Sequence, residues 1–284
     1  MMIQGKTAVV AIIGHPIGHS LSPVMQNAAF AACNIDFVYV PFAVSAEKLE
    51  QAVTGLKALG IRGFNVTIPH KTAIIPFLDR LDESAESAGA VNTVQVCESS
   101  LIGYNTDGDG LVDSLASDLD FIPGSEPILI LGAGGAARGA IAALSRSGAR
   151  RIIICNRSVE KAFNIKMDMN RRYPETAIEI LEYHRITAEI IGTSSLLLNT
   201  TSLGMNGECI ENINPAHLTK HAKVYDMVYS RSGTTRLVQD ASAAGLKAVS
   251  GIGMLVAQGE RAFAIWTGQK APAGVMRHAL NGIQ

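Results

Sequence analysis

Four short polar islands in this 284-residue chain have the composition needed to work on a small oxygenated molecule. They are His19-Ser20-Leu21-Ser22-Pro23, Asn65-Val66-Thr67-Ile68-Pro69-His70-Lys71, Gly89-Ala90-Val91-Asn92-Thr93 and Asn105-Thr106-Asp107-Gly108. A lysine beside a carboxylate makes a proton-transfer pair, the ammonium hydrogen-bonding the reacting oxygen while the carboxylate orients it. Lys71 and Asp107 are the candidates; taken singly, each also reads as an ordinary surface charge. The hydroxyls of Ser20 and Ser22, placed where a helix starts, suit a small carboxylate. Helix capping is their alternative role.

A second constellation suits a dinucleotide. Gly132-Ala133-Gly134-Gly135-Ala136-Ala137 directly follows the apolar run 127–131. Gly132 permits a tight turn, Gly134 lets a pyrophosphate approach the backbone, and Ala137 allows close contact between helix and strand. The helix N-terminus supplies free N–H groups to phosphates, so Gly132, Ala133, Gly134, Gly135 and Ala136 read as cofactor contacts. A tight turn that binds nothing shares the pattern; the strand before it and the helix after it strengthen the dinucleotide reading. An NAD-binding protein usually has an acidic side chain at the end of the second strand, for the adenosine ribose. Here that place holds Asn156, followed by Arg157 and, a helical turn on, Lys161. Positive charge there favours a ribose 2′-phosphate, hence NADP(H). Two solvated cations on a helix start are the alternative.

These residues need a scaffold that presents them at strand ends. Strands are expected at 7–13 and 37–44 around a helix at 22–33. A helix over 46–59 carries Leu49, Val53, Leu56 and Leu59 at helical spacing and ends at Gly60, before a strand at 62–68. Lys71 opens a further helical segment, 83–88 forms a short one, and strands 91–96 and 101–104 meet in a hairpin. After a loop at 118–126 the pattern restarts with strand 127–131, helix 136–147 and strand 151–155. Strands at 177–181, 196–200, 223–229 and 247–250 follow, then helices at 252–268 and 272–280. Such alternation predicts an α/β protein with mostly parallel sheet covered on both faces. The length favours two compact units with a cleft between them. Residues 1–107 are read as an α/β substrate domain, 108–251 as a Rossmann-type doubly wound cofactor domain, and 252–284 as helices packing back on the first.

At 48% apolar and 17% charged residues, the composition excludes disorder. Lys plus Arg number 24 against 25 Asp plus Glu, with no long basic run, so small-molecule partners fit better than nucleic acid. Cys33, Cys97, Cys155 and Cys209 are too scattered for a disulfide framework or zinc ribbon, which suits a reducing cytoplasm. No apolar stretch approaches the roughly 20 residues that span a bilayer. His15 and His19, like His217 and His221, are four apart, but Pro16 and Gly18 break the first pair's helix and the second lacks the glutamate of a zinc site. No metal is expected.

Five segments together resemble the shikimate dehydrogenase family, over almost the whole chain. They are Gly14-His15-Pro16-Ile17-Gly18-His19-Ser20-Leu21-Ser22-Pro23, Gly63-Phe64-Asn65-Val66-Thr67-Ile68-Pro69-His70-Lys71, Gly89-Ala90-Val91-Asn92-Thr93, Gly103-Tyr104-Asn105-Thr106-Asp107-Gly108 and Gly251-Ile252-Gly253-Met254-Leu255-Val256-Ala257-Gln258. The resemblance implies reversible, NADPH-dependent reduction of 3-dehydroshikimate to shikimate. It implies that Ser20 and Ser22, helped by Tyr229, bind the substrate carboxylate, and that Thr67, Asn92 and Gln258 bind ring hydroxyls. Lys71 would be the acid/base, kept charged and aimed by Asp107. Met254 would pack near the nicotinamide, with Thr201 and Gly251 also at the cofactor.

Two departures stand out. Many members have Asn-Ala-Thr where this chain has Asn199-Thr200-Thr201, and the ending Phe263-Ala264-Ile265-Trp266-Thr267-Gly268 looks like the quinate/shikimate branch, some members of which use NAD. Quinate is therefore the runner-up substrate. A catalytically silent dinucleotide-binding regulator is the rival of another class; the presence of Lys71, Asp107, Asn92 and Gln258 argues against it. A homodimer is compatible with either reading.

Overall fold

The computed structural model describes residues 3–98, 100–205, 207–229 and 234–281. The chain divides into two compact units, Met1–Gly110 with Val256–Gln284, and Leu111–Leu255.

In the first unit the chain runs β1 (Ala8–Gly14), α1 (Ser22–Ala32), β2 (Phe37–Ala43), α2 (Leu49–Ala58), β3 (Gly63–Val66), β4 (Arg80–Leu81), α3 (Glu83–Ala88), β5 (Thr93–Cys97) and β6 (Ser100–Tyr104). The sheet order is β2-β1-β3-β5-β6-β4. β1 pairs in parallel with both β2 and β3, and its Val10, Ala11, Ile12 and Ile13 are buried, as expected of an apolar strand with neighbours on both edges. Its pairings are mostly parallel, as expected, while β5 runs antiparallel to β3 and to β6, the latter as the expected hairpin. Only residues 98 and 99 separate β5 from β6, and a connection that short can join only antiparallel strands. Ile13, Phe64, Val66, Val91, Val94 and Leu101 pack with Val53 and Leu56 of α2 into one core.

Lys71 does not open a helix: residues 71–74 form turns that lead into a 3-10 turn at Ile75–Phe77. Pro69 before and Pro76 within this stretch deny the backbone the hydrogen bonds and angles of a longer helix.

α4 (Thr106–Leu119), which the sequence reading did not assign, starts in the first unit and ends in the second. Gly108, Gly110 and a run of aspartates mask it, yet Leu111, Leu115 and Leu119 repeat at helical spacing and are all buried. The second unit continues with β7 (Ile128–Leu131), α5 (Gly135–Arg146), β8 (Arg151–Asn156), α6 (Val159–Arg172), β9 (Ala177–Glu182), α7 (Ala188–Gly192), β10 (Leu196–Asn199), β11 (Lys223–Asp226), α8 (Arg236–Ala243) and β12 (Lys247–Ser250). All pairs are parallel, in the order β12-β11-β10-β7-β8-β9, which is that of a doubly wound dinucleotide-binding sheet. β7 shows why both faces are covered. Ile128 and Ile130 join a core with Ile141 and Leu144 of α5, while Leu129 and Leu131 join another with Ile191 of α7 and Leu237 of α8. Each such side chain contributes about 1.5–3 kcal/mol by its burial.

α9 (Ile252–Thr267) returns the chain to the first unit, where α10 (Val275–Asn281) packs on α1.

Candidate active site

In the first unit a chain reversal after β3 and the first turn of α4 bring Lys71 and Asp107 together. Lys71 Nζ donates to Asp107 Oδ2 at 2.7 Å, with both side chains partly exposed. The reversal is anchored from below. His70 is buried, its Nε2 lies 2.7 Å from the Val44 carbonyl, and its backbone N–H donates to the Thr67 carbonyl. The Lys71 carbonyl in turn accepts from Val91 N–H at 2.7 Å. Asp107 is set by Asn105, whose side-chain oxygen accepts the Asp107 N–H at 3.1 Å, and by the helix N-terminus it occupies, which favours negative charge.

Asn92 holds the other carboxylate oxygen, Nδ2 donating to Asp107 Oδ1 at 2.8 Å. Its second amide hydrogen goes to Thr106 Oγ1 at 2.9 Å, and its Oδ1 accepts from Thr106 N–H at 2.8 Å. Both amide hydrogens are thus engaged within the protein, and the side chain acts on Asp107. Behind Asn92 lie Thr93, Asn65 and Tyr39, all buried. Ser20 Oγ accepts the Ser22 N–H at 3.3 Å in the turn leading into α1, whose N-cap is Leu21, while Ser22 is buried beside the Tyr39 phenol. Thr67 is half-buried at the end of β3 and Gln258 is buried on α9.

In the second unit the glycine-rich turn joins β7 to α5. Gly132 has φ 108°, a left-handed conformation suited to glycine, and a β-carbon there would lie 2.7 Å from Thr200 Oγ1 and 3.0 Å from Thr201 Cγ2. Gly134, Gly135 and Ala136 are exposed at the start of α5, so the first N–H groups of a twelve-residue helix are open to an anion. Ala133 and Ala137 are buried beneath them. At the end of β8, Asn156 Nδ2 donates to the Ser158 carbonyl at 2.9 Å and shapes the turn that leaves Arg157 and Lys161 exposed. This set fits a phosphorylated dinucleotide: small residues where backbone meets phosphate, cations where the adenosine ribose would end.

The ends of β10 and β11 are tied by Asp226, buried and accepting from Asn199 Nδ2 at 2.8 Å, Thr235 Oγ1 at 2.7 Å and Val228 N–H at 3.1 Å. Burial holds its carboxyl above the usual aspartate range, although the three donors oppose the shift. Asn199 Oδ1 accepts from Thr201 N–H and hydroxyl, so Thr201 is fixed beside Gly132. The Tyr225 hydroxyl, between Ser114 Oγ at 2.8 Å and Met254 N–H at 3.1 Å, anchors the start of α9. Gly251 lies against the Met227 carbonyl, and Tyr229, 39% exposed, follows β11.

Comparison with known proteins decides what this arrangement belongs to. The chain matches the shikimate dehydrogenase substrate binding domain over residues 12–94, shikimate / quinate 5-dehydrogenase over residues 120–202, and the shikimate 5'-dehydrogenase C-terminal domain over residues 251–280. It is 51% identical to the shikimate dehydrogenase (NADP(+)) of Geobacter metallireducens, covering 98% of this chain and 97% of that protein. This chain belongs to the shikimate dehydrogenase family. Among solved structures, shikimate 5-dehydrogenase from Thermus thermophilus in complex with NADP(H) and shikimate is 30% identical, with a TM-score of 0.85 over 98% of this chain and 100% of that one. The ligand-free 5-ketofructose reductase of Gluconobacter sp. strain CHM43 is 33% identical, with a TM-score of 0.91 over 99% and 100%. Within this family, then, backbone likeness does not choose the substrate.

Sequence reasoning about the family site singled out Lys71, Asp107 and Asn92, and the first unit joins these three directly. It placed His70, Asn105 and Thr106 around the pair, and Asn65 and Thr93 behind it, in the polar islands without giving them roles, and it missed Tyr39 and, in the second unit, Asp226. A signal existed for some. Tyr39 and Asn65 are polar groups inside otherwise apolar strands, and Asp226 is a buried carboxylate at the end of β11, where a hydrogen-bonding role is the reason to keep them. Trp266 fills the core, donating to the Val94 carbonyl at 3.0 Å beside Tyr39. Among the described residues no group of three or more His, Cys, Asp or Glu could hold a metal, and no helix is long and apolar enough to cross a membrane.

Proposed function

We propose that this chain catalyses the reversible, NADPH-dependent reduction of 3-dehydroshikimate to shikimate. The observation that carries the reading is the Lys71–Asp107 pair at 2.7 Å, fixed by Asn92, in a chain 51% identical to a shikimate dehydrogenase (NADP(+)).

The dinucleotide, when bound, supplies or accepts the hydride. Gly132, Ala133, Gly134, Gly135 and Ala136 would hold its phosphates, Asn156, Arg157 and Lys161 its adenosine end, and Thr201, Gly251 and Met254 would lie along the remainder. Lys71 Nζ donates a proton to the carbonyl oxygen as it becomes a hydroxyl, and removes it in the reverse direction. Asp107 accepts from the same nitrogen, so the ammonium is aimed and its charge balanced. Asn92, with both amide hydrogens engaged, serves through Asp107 in this conformation and reaches a ring hydroxyl only if one of those bonds is exchanged. Ser20, Ser22 and Tyr229 are read as carboxylate ligands, and Thr67 and Gln258 as ligands of ring hydroxyls. The free cysteines suit a reducing cytoplasm, and a homodimer remains compatible with the reading.

Quinate is the second reading, raised by the ending around Trp266. The indole is committed to Val94 and Tyr39, so that residue has no part in choosing the ring. Purified protein offered shikimate or quinate with NADP+ or NAD+, with reduced nicotinamide followed by absorbance, tests the assignment. The shikimate and NADP+ combination is expected to give the highest kcat/KM; no turnover with any pair refutes the enzyme, and a preference for quinate refutes the substrate.

A further inference from the structure

Behind the reacting pair runs an unbroken line of buried hydrogen bonds with one allowed polarity. Tyr39 OH lies 2.7 Å from Asn65 Oδ1. Asn65 Nδ2 lies 3.0 Å from the Asn92 backbone carbonyl and 2.9 Å from Thr93 Oγ1. A carbonyl only accepts, so the nitrogen of Asn65 must face Asn92 and its oxygen must face Tyr39. The phenol therefore donates. Thr93 Oγ1, having accepted from Asn65, gives its own proton to Asn92 Oδ1 at 3.0 Å. Thr106 N–H points at that same oxygen, so Asn92 must turn its nitrogen to Asp107 Oδ1, leaving Oδ2 for Lys71.

We propose that Tyr39 is a positioning residue for proton transfer: through Asn65 and Thr93 its phenol fixes the orientation of Asn92, and thereby of the Asp107 carboxylate that aims Lys71. The inference rests on the proposed roles of Lys71 and Asp107. Tyr39 is suited to the task because it is itself immobile. Its backbone N–H and carbonyl are both bonded to the Asn27 side chain, at 2.9 and 3.0 Å, and its ring packs on Trp266. Burial raises its phenol far above the ordinary tyrosine range, so the proton it donates stays in place at any pH the enzyme meets. Without that proton Asn65 Oδ1 is a buried acceptor with no donor, and the amide gains by moving, which frees Thr93 and Asn92 in turn.

Tyr39→Phe deletes only the hydroxyl, and Thr93→Val cuts the same line further on at nearly constant volume. Each is expected to lower kcat for shikimate oxidation about 5- to 30-fold, the factor that corresponds to ~1–2 kcal/mol for a neutral buried hydrogen bond. KM for shikimate should stay within about twofold in Thr93→Val, which leaves the Ser22 side chain on the Tyr39 phenol; Tyr39→Phe also frees Ser22, so for that variant kcat is the readout. Two cuts in one line remove one function, so the double variant should be no slower than the slower single variant. Tyr104→Phe, which deletes a phenol bonded to Gln95 away from the line, is the matched control and should keep kcat. Unchanged kcat in Tyr39→Phe, or losses that multiply in the double variant, overturns the proposal. Should Lys71→Ala leave kcat intact, the underlying reading of the pair fails, and the role of Tyr39 fails with it. A large loss in Lys71→Ala beside a neutral Tyr39→Phe defeats the relay alone.

Discussion

Gly63→Ala offers a quantitative test of how the first unit holds its site. Gly63 opens β3, two residues before Asn65 and four before Thr67. A β-carbon there would intrude on the Trp266 indole nitrogen and the Val94 carbonyl oxygen and lie 2.5 Å from Trp266 Cδ1. Two of those atoms are the donor and acceptor of one hydrogen bond, 3.0 Å long and buried. Alanine must therefore separate them, and each buried partner left without its bond costs about 1–3 kcal/mol. Displacing an indole that is only 7% exposed adds lost packing. The expected sum is ~3–5 kcal/mol, at the upper end for a single substitution. Urea unfolding followed by far-UV circular dichroism, a probe that survives replacement of the chain's single tryptophan, measures it, with the slope checked for constancy. In a Trp266→Leu background the cost of Gly63→Ala should fall without vanishing, because the Val94 carbonyl remains in the way. A Gly63→Ala protein within about 0.5 kcal/mol of the parent would refute the packing argument.

Gly132→Ala places a side chain at φ 108° and 2.7 Å from Thr200 Oγ1, so NADPH affinity measured by fluorescence titration should drop at least about tenfold while shikimate KM holds. Arg157→Ala should raise KM for NADP+ about 10- to 100-fold, the loss of a charge-assisted bond, and leave KM for NAD+ nearly unchanged. Equal effects on both cofactors in steady-state kinetics would remove Arg157 from the phosphate site. Asp226 has a raised carboxyl in the folded state, so its contribution to stability is present below its ordinary value of 3.8 and is lost as pH rises through the folded value. Asp226→Asn should therefore flatten the pH dependence of unfolding free energy above that value and match or exceed the parent at neutral pH. A steeper decline with pH in the variant would contradict the assignment.

Most strands and the helices α1, α2, α5 and α9 were legible because their apolar spacing is a local property. The glycine-rich turn was legible for the same reason: strand, turn and helix follow one another without a gap. α4 was not, because helix-weakening Gly108 and Gly110 overlay a leucine repeat that only burial reveals. The turn at Lys71 was misread as helix, since the weight of Pro69 and Pro76 appears once His70 is seen bonded to Val44. Lys71 and Asp107 could be named from sequence as types of chemistry. That they meet depends on a reversal after β3 and on the start of α4, 36 residues apart in sequence. The hydrogen-bond line through Tyr39, Asn65 and Thr93 joins three different strands, so no spacing rule in the sequence could have displayed it.

The central claim is that Lys71, aimed by Asp107, moves the proton in shikimate oxidation. Steady-state kinetics of the parent and of Lys71→Ala, with shikimate and NADP+, tests it most directly. The parent should turn over, and Lys71→Ala should lose about 10²- to 10⁴-fold in kcat with shikimate KM changed far less. A Lys71→Ala enzyme with its kcat preserved and its shikimate KM greatly raised would show a binding residue instead, and would contradict the account.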